Sequence, residues 1–144
     1  QMLADDWNVK SNVWSVTSFN ELTREAQAID RVNRFSTDIQ KVPYITQCLE
    51  NAKGPIIVAT DYMRNYAEQV RKYVPNRYEV LGTDGFGRSD SRAALRAFFE
   101  VNASYVVLAS LKALVDEGEM NASVIAQAVK KYDINVNKPN PMTV

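Results

Sequence analysis

The sequence predicts an α/β fold, a three-layer α/β/α sandwich around a mostly parallel (mixed) sheet. Three observations predict it. Residues 56–60 read Ile-Ile-Val-Ala-Thr, a continuous apolar run typical of a strand covered on both faces. Residues 78–81, Tyr-Glu-Val-Leu, and residues 13–17, Val-Trp-Ser-Val-Thr, are two further runs of strand formers, the latter alternating. Helical patterns separate the three runs, and strands alternating with helices argue a parallel sheet. The chain is expected to be one domain, residues 1–144.

Taken in order, residues 1–7 read as the last turns of a helix, so the domain is expected to continue a longer chain, truncated at its N-terminal side. The run at 13–17 is the first expected strand. Ser18-Phe19-Asn20-Glu21 follows as a capping box: the serine oxygen accepts from the amide three residues on, and Glu21 reaches back. Phe19, Leu22, Ala26 and Ile29 recur at helical spacing and carry a helix to about Asn33. Residues 34–41 are polar and read as loop. Pro43 suits a helix first turn, with Tyr44, Ile45, Cys48 and Leu49 behind it, and Gly54-Pro55 ends that element. After the second strand, Asp61 is expected to cap a helix whose buried stripe is Tyr66, Val70, Tyr73 and Val74, stopped by Pro75. The third strand, 78–81, leads into a glycine loop, and Ser89 or Asp90 is expected to cap the next helix, with Leu95, Phe98 and Phe99 on its inner face. A helix over 103–117 is ended by Gly118. Another runs over 121–132 with Ile125, Ala128, Val129 and Tyr132 on one face. The tail from Asn135 reads as extended.

Composition excludes several functions. Seventeen basic residues balance seventeen acidic ones, so nothing in the charge invites nucleic acid, and no basic cluster marks a membrane surface. The chain has no histidine, which removes Ser-His-Asp and Cys-His catalysis. One cysteine and no histidine argue against a zinc site. A lone Cys48, read as a buried and inert thiol, fits a reducing compartment, and the expected location is cytoplasmic. Asn102-Ala-Ser104 and Asn121-Ala-Ser123 match the glycosylation pattern and are read as helix starts.

The chemistry-bearing segment is Leu81-Gly82-Thr83-Asp84-Gly85-Phe86-Gly87-Arg88-Ser89-Asp90-Ser91-Arg92, which holds three of the five glycines. A dinucleotide fingerprint needs G-x-G-x-x-G. Here the order is reversed, Asp84 stands where a pyrophosphate would sit, and no Walker lysine is present. The loop therefore reads as a tight turn that delivers Arg88, Ser89 and Asp90 to a surface. Asp61, Asp84 and Asp90, with the Asp116-Glu117-Glu119 cluster, are the available carboxylates. Asp61 and Asp90 are better explained as caps than as an acid–base pair, and the cluster as a solvated helix end. Asp61 and Asp84 follow successive strands, and adjacent parallel strands would bring both loops to one sheet edge, where α/β folds place ligands. The interface and loop candidates are Asp61, Tyr62, Asp84, Gly85, Phe86, Gly87, Arg88, Ser89, Asp90 and Arg92, with no catalytic, cofactor or metal residue assigned.

Together with Trp14-Ser-Val-Thr-Ser-Phe-Asn-Glu-Leu22, Thr60-Asp61-Tyr62-Met63, Phe98-Phe99-Glu100-Val101 and the Asn140-Pro141 tail, that segment closely resembles the C-terminal domain of the homodimeric, bacterial-type pyruvate dehydrogenase over nearly the whole chain. The resemblance implies a fold like the transketolase C-terminal domain. It implies a non-catalytic role in dimerisation and domain assembly, with the remaining domains and the second subunit as partners and dihydrolipoyl acetyltransferase in the complex. It also implies a parent enzyme that uses thiamine diphosphate and magnesium to decarboxylate pyruvate and passes the acetyl group to lipoyl groups. The family's Gly-Asp-Gly and Asn-Asn cofactor motif is absent here, since Thr83 precedes Asp84-Gly85. No cofactor is expected on this chain. The alternative is an independent small-molecule or nucleotide-binding module built on the Asp61 and Asp84 loops.

The resemblance further implies a five-stranded mixed sheet whose middle strand, lying between 13–17 and 56–60, has no counterpart in the chain. Two outcomes are expected: a strand from another peptide fills the gap, or the first two runs pair directly, because a buried row of unpaired amides is costly.

Overall fold

The computed structural model describes residues 1–144. Its elements are α1 (Met2–Trp7), α2 (Phe19–Arg34), α3 (Tyr44–Leu49), β1 (Ile56–Ala59), α4 (Asn65–Glu68), a 3-10 turn at Arg71–Tyr73, β2 (Tyr78–Leu81), α5 (Arg92–Phe98), α6 (Ala103–Asp116) and α7 (Ser123–Lys131). The class is α/β, as expected. β1 and β2 pair in parallel, with Ile56 opposite Tyr78 and Ala59 opposite Leu81.

Helices lie on both sides of this sheet. Tyr78 and Val80 point into one cluster with Ala26 of α2, Ile45 and Leu49 of α3, Ala67 of α4, and Val70, Tyr73 and Val74. The alternate burial along β2 is the period-two pattern of a strand. α6 contacts both strands but belongs to a second cluster, where Val107 and Leu111 pack with Ala128 of α7. Trp7 and Leu3 of α1 lie against that cluster. Trp7 Nε1 donates to the Tyr132 hydroxyl at 2.8 Å, and that hydroxyl donates to Asp6 at 2.7 Å, so α1 is tied to the end of α7.

Several expectations need correction. The run at 13–17 is not a strand: residues 8–17 carry no regular structure, and Val13 is 93% exposed. Alternation supplies one apolar face, but a strand also needs a neighbour, and none stands beside it. The sheet has two strands rather than three. Direct pairing of 13–17 with β1 therefore does not occur. Ile56 and Thr60 donate to Arg77 and Leu81 at 2.8 and 3.0 Å, so the amides of Ile57 and Ala59 face the opposite edge, which has no strand partner.

The helix after β1 is one turn plus a 3-10 turn, and Asp61 does not cap it: the position before Asn65 is Arg64, with no side-chain cap. Tyr66 is exposed, whereas Val70, Tyr73 and Val74 are buried as expected. Ser18 caps α2 through the Glu21 amide at 3.2 Å, but Glu21 turns to Arg24 instead of reaching back. Cys48 is half-buried rather than buried. Asp116 is not simply solvated. It accepts from Arg77 at 2.7 Å and from Lys112, joining α6 to the start of β2. The tail is a series of turns rather than extended, closed by bonds such as Thr143 N to Asn140 O at 3.0 Å.

The 25 residues Arg92–Asp116, which hold α5 and α6, are long and apolar enough by composition to cross a membrane. Two features break that reading. Glu100 sits at φ 62° between them, and Asn102 starts a new helix by accepting from the Tyr105 amide.

The carboxyls with displaced pKa values are fold-holding groups. Asp30 is pulled below its usual value by hydrogen bonds from Lys72 and then Tyr73. Asp6 is lowered by Lys131 and Tyr132, Glu68 by Arg71, and Asp116 by Lys112. A folded-state pKa below the unfolded one stabilises above the unfolded value, and the gain is lost as pH falls through the folded one. Stability is therefore expected to drop as pH falls below 3.8, the usual aspartate value. Asp30→Asn should flatten that acid limb in urea titrations at a series of pH values. An unchanged limb would contradict the assignment. Tyr73 moves the other way, pushed up to about 12 by burial and by its bond to Asp30. Its contribution is present below 10.0 and lost as pH climbs through the folded value.

Candidate functional site

Because β1 and β2 are adjacent and parallel, the loops that follow them meet at the carboxyl end of the sheet. The chain pins them together. Thr83 N donates to Tyr62 O at 2.9 Å, and Thr83 Oγ1 donates to Asp61 O at 3.0 Å. Gly82 is required by this approach: a Cβ there would lie 2.7 Å from Arg64 N and 2.8 Å from Tyr62 O, both backbone atoms. Gly85 meets two demands, a φ of 110° and a Pro141 oxygen that would lie 2.2 Å from any Cβ.

The loop carboxylates are occupied by the chain's own arginines. Asp84 accepts from Arg64 Nε at 2.6 Å. Asp61 accepts from Arg96 at 2.7 Å and from Arg92 at 3.4 Å. Asp61 is thus an anchor that holds α5 to the β1 loop. Asp90 does not cap α5 either. Its carboxylate accepts from the Ser91 amide at 2.6 Å, and Ser91 is the cap, accepting from Ala94 N at 3.3 Å.

Aromatic and cationic side chains face outward beside the exposed Asp90. Tyr62 and Phe86 are exposed, and Tyr62 rests against Tyr66 with ring centres 5.1 Å apart. The Arg88 guanidinium lies 4.4 Å from the centre of the Phe98 ring and has no carboxylate partner. An open cleft of about 420 Å³ runs beside it, lined by Arg88, Ser89, Asp90, Ala94, Leu95 and Phe98. The structure therefore gathers the ten sequence candidates around one sheet end. Sequence reasoning missed Arg64 and Arg96, which neutralise the two aspartates, and the tail residues Lys138, Pro141 and Met142. An arginine two residues beyond Asp61-Tyr62 carries no spacing signal of its own, and the tail's contacts are wholly long-range.

No group of three acidic, cysteine or histidine side chains converges anywhere in the chain. Asp61 and Asp84 already carry cationic partners, and a metal would have to displace them.

The family description "Transketolase-like TK C-terminal domain" matches residues 1–102. The chain is 50% identical over 144 residues to the pyruvate dehydrogenase E1 component of Cupriavidus necator, covering 99% of this chain and 16% of that protein. The same protein of Pseudomonas aeruginosa is also 50% identical over 144 residues, with the same coverage of both chains. That of Escherichia coli K12 is 51% identical over 143 residues, 98% of this chain and 16% of the relative. The chain thus spans about one sixth of the length of the curated relatives it matches.

Proposed function

Since the chain belongs to the transketolase-like C-terminal domain family, we propose that it serves as the non-catalytic C-terminal domain of a pyruvate dehydrogenase E1 component, supporting dimerisation and domain assembly. In this reading the parent enzyme is cytoplasmic, decarboxylates pyruvate with thiamine diphosphate and magnesium held by its other domains, and passes the acetyl group to lipoyl groups of dihydrolipoyl acetyltransferase. The partners of this domain are the remaining domains and the second subunit. One observation carries the reading. At the sheet end, Asp61 and Asp84 are paired with Arg64, Arg92 and Arg96, while Tyr62, Phe86 and Arg88 face outward. A metal site built on these two aspartates would need them unpaired. Aromatic side chains with an arginine are instead the usual makings of a protein–protein contact.

The test is a calorimetric titration of the chain with thiamine diphosphate and magnesium, paired with an assay for pyruvate decarboxylation and a thermal-shift screen with nucleotides and phosphate. No saturable heat, no turnover and no shift are expected. Saturable binding at the Asp61 and Asp84 loops would support an independent ligand-binding module instead.

A further inference from the structure

We propose that residues 135–144 act as a strap that holds the glycine loop in shape, with Lys138 as its lock. The strap touches the loop region at three places. Pro141 is buried, and its carbonyl oxygen presses against Gly85 so closely that only a glycine fits. The Met142 sulfur accepts from Arg64 Nη2 at 2.8 Å, and the Nε of that same guanidinium holds Asp84 at 2.6 Å. Lys138 reaches the third place through a shared ring. Its ammonium lies 5.4 Å from the centre of Phe98, and Arg88 of the loop lies 4.4 Å from that same centre. Strap and loop thus each set a cation against one aromatic side chain of α5.

Lys138 is built in rather than resting on the surface. Its side chain is 19% exposed. The ammonium donates to Ala97 O at 3.2 Å, to Phe98 O, and to Glu100 Oε1 at 3.0 Å, and it lies 5.5 Å from the Tyr105 ring. Two of these acceptors are carbonyls at the end of α5, where a cation is favoured. Glu100 is held at φ 62°, a costly conformation for a residue with a Cβ, and Lys138 ties it down. A single lysine therefore fixes the strap, the strained α5–α6 corner and the ring that receives Arg88. All these contacts lie within the chain, so the inference holds whether or not the loop meets another subunit.

Hydrogen exchange of the full chain and its variants tests it. In Lys138→Gln, the Thr83 amide, which donates to Tyr62 O, should exchange about tenfold faster, the equivalent of a lost charge-assisted hydrogen bond. The sheet amides of Ile56 and Thr60 should keep their protection. Coupling is reciprocal. Gly85→Ala, which pushes the strap from the loop side, should speed exchange at Met142 and Thr143, whose amides donate to Asn140 at 3.0 Å. If the strap opens in Lys138→Gln while the Thr83 amide stays protected, the inference is wrong. It is equally wrong if Ile56 and Thr60 accelerate with the loop, since Lys138 then supports the whole fold rather than the strap.

Discussion

Leu111→Ala is expected to destabilise the chain by about 3 kcal/mol, within the roughly 2–5 kcal/mol seen for large-to-small changes at fully buried sites. Leu111 is 0% exposed and is the largest fully buried side chain in the molecule. It joins α6 to Ala128 of α7, with Leu3 and Trp7 of α1 packed alongside. α6 also contacts both strands, so its seating bears on the sheet as well. The close-packed elements around this cluster cannot fully relax into the vacated space, and the cavity cost adds to the lost transfer energy. Set against a typical total stability of about 5–15 kcal/mol, the loss is large. Urea unfolding should show a lower midpoint with an unchanged slope. A midpoint within error of the parent would mean that α6 is not seated as described.

Gly82→Ala is expected to cost about 2–3 kcal/mol, near the top of the usual range for overpacking. The atoms that a Cβ would meet at 2.7 and 2.8 Å are Arg64 N and Tyr62 O. A flexible side chain can swing aside, but backbone pinned by the Thr83 N to Tyr62 O bond cannot do so without breaking that bond. The change should therefore do more than lower the urea midpoint. It should part the two loops, loosen the Arg64–Asp84 pair and raise exchange at Thr83. Gly87→Ala serves as the control, because nothing lies within 4 Å of a Cβ there. Equal effects of the two substitutions would contradict the close approach.

Much of this architecture was legible in the residues. The apolar run at 56–60 and the run at 78–81 gave the parallel pair, since each carries its own strand signal. Ser18, Asn102 and Gly118 marked helix ends through local chemistry that needs no tertiary partner. The failures share one cause. Residues 13–17 alternate like a strand, but pairing depends on a neighbour that local pattern cannot supply. Asp61 follows a strand like a cap, yet Arg96, thirty-five positions away, claims its carboxylate. The glycine loop bends at Gly85-Phe86 without a hydrogen-bonded turn. What it packs against, the Pro141 carbonyl and the Phe98 ring, depends on contacts across the fold that no spacing records.

The central claim is that the sheet-end surface joins parts of a larger enzyme and takes no part in its chemistry. The most direct measurement is made on a full-length pyruvate dehydrogenase E1 component carrying this domain, with Arg88 replaced by alanine. Arg88 is apt because it contacts Phe98 and no carboxylate of its own chain, and lysine reproduces its planar fork poorly. Sedimentation over a concentration series gives the dimer dissociation constant, and steady-state kinetics give KM for pyruvate on the same preparation. Weaker subunit or interdomain association with an unaltered KM is the predicted result. An unchanged dissociation constant and thermal stability, or a KM that rises while association holds, would contradict it.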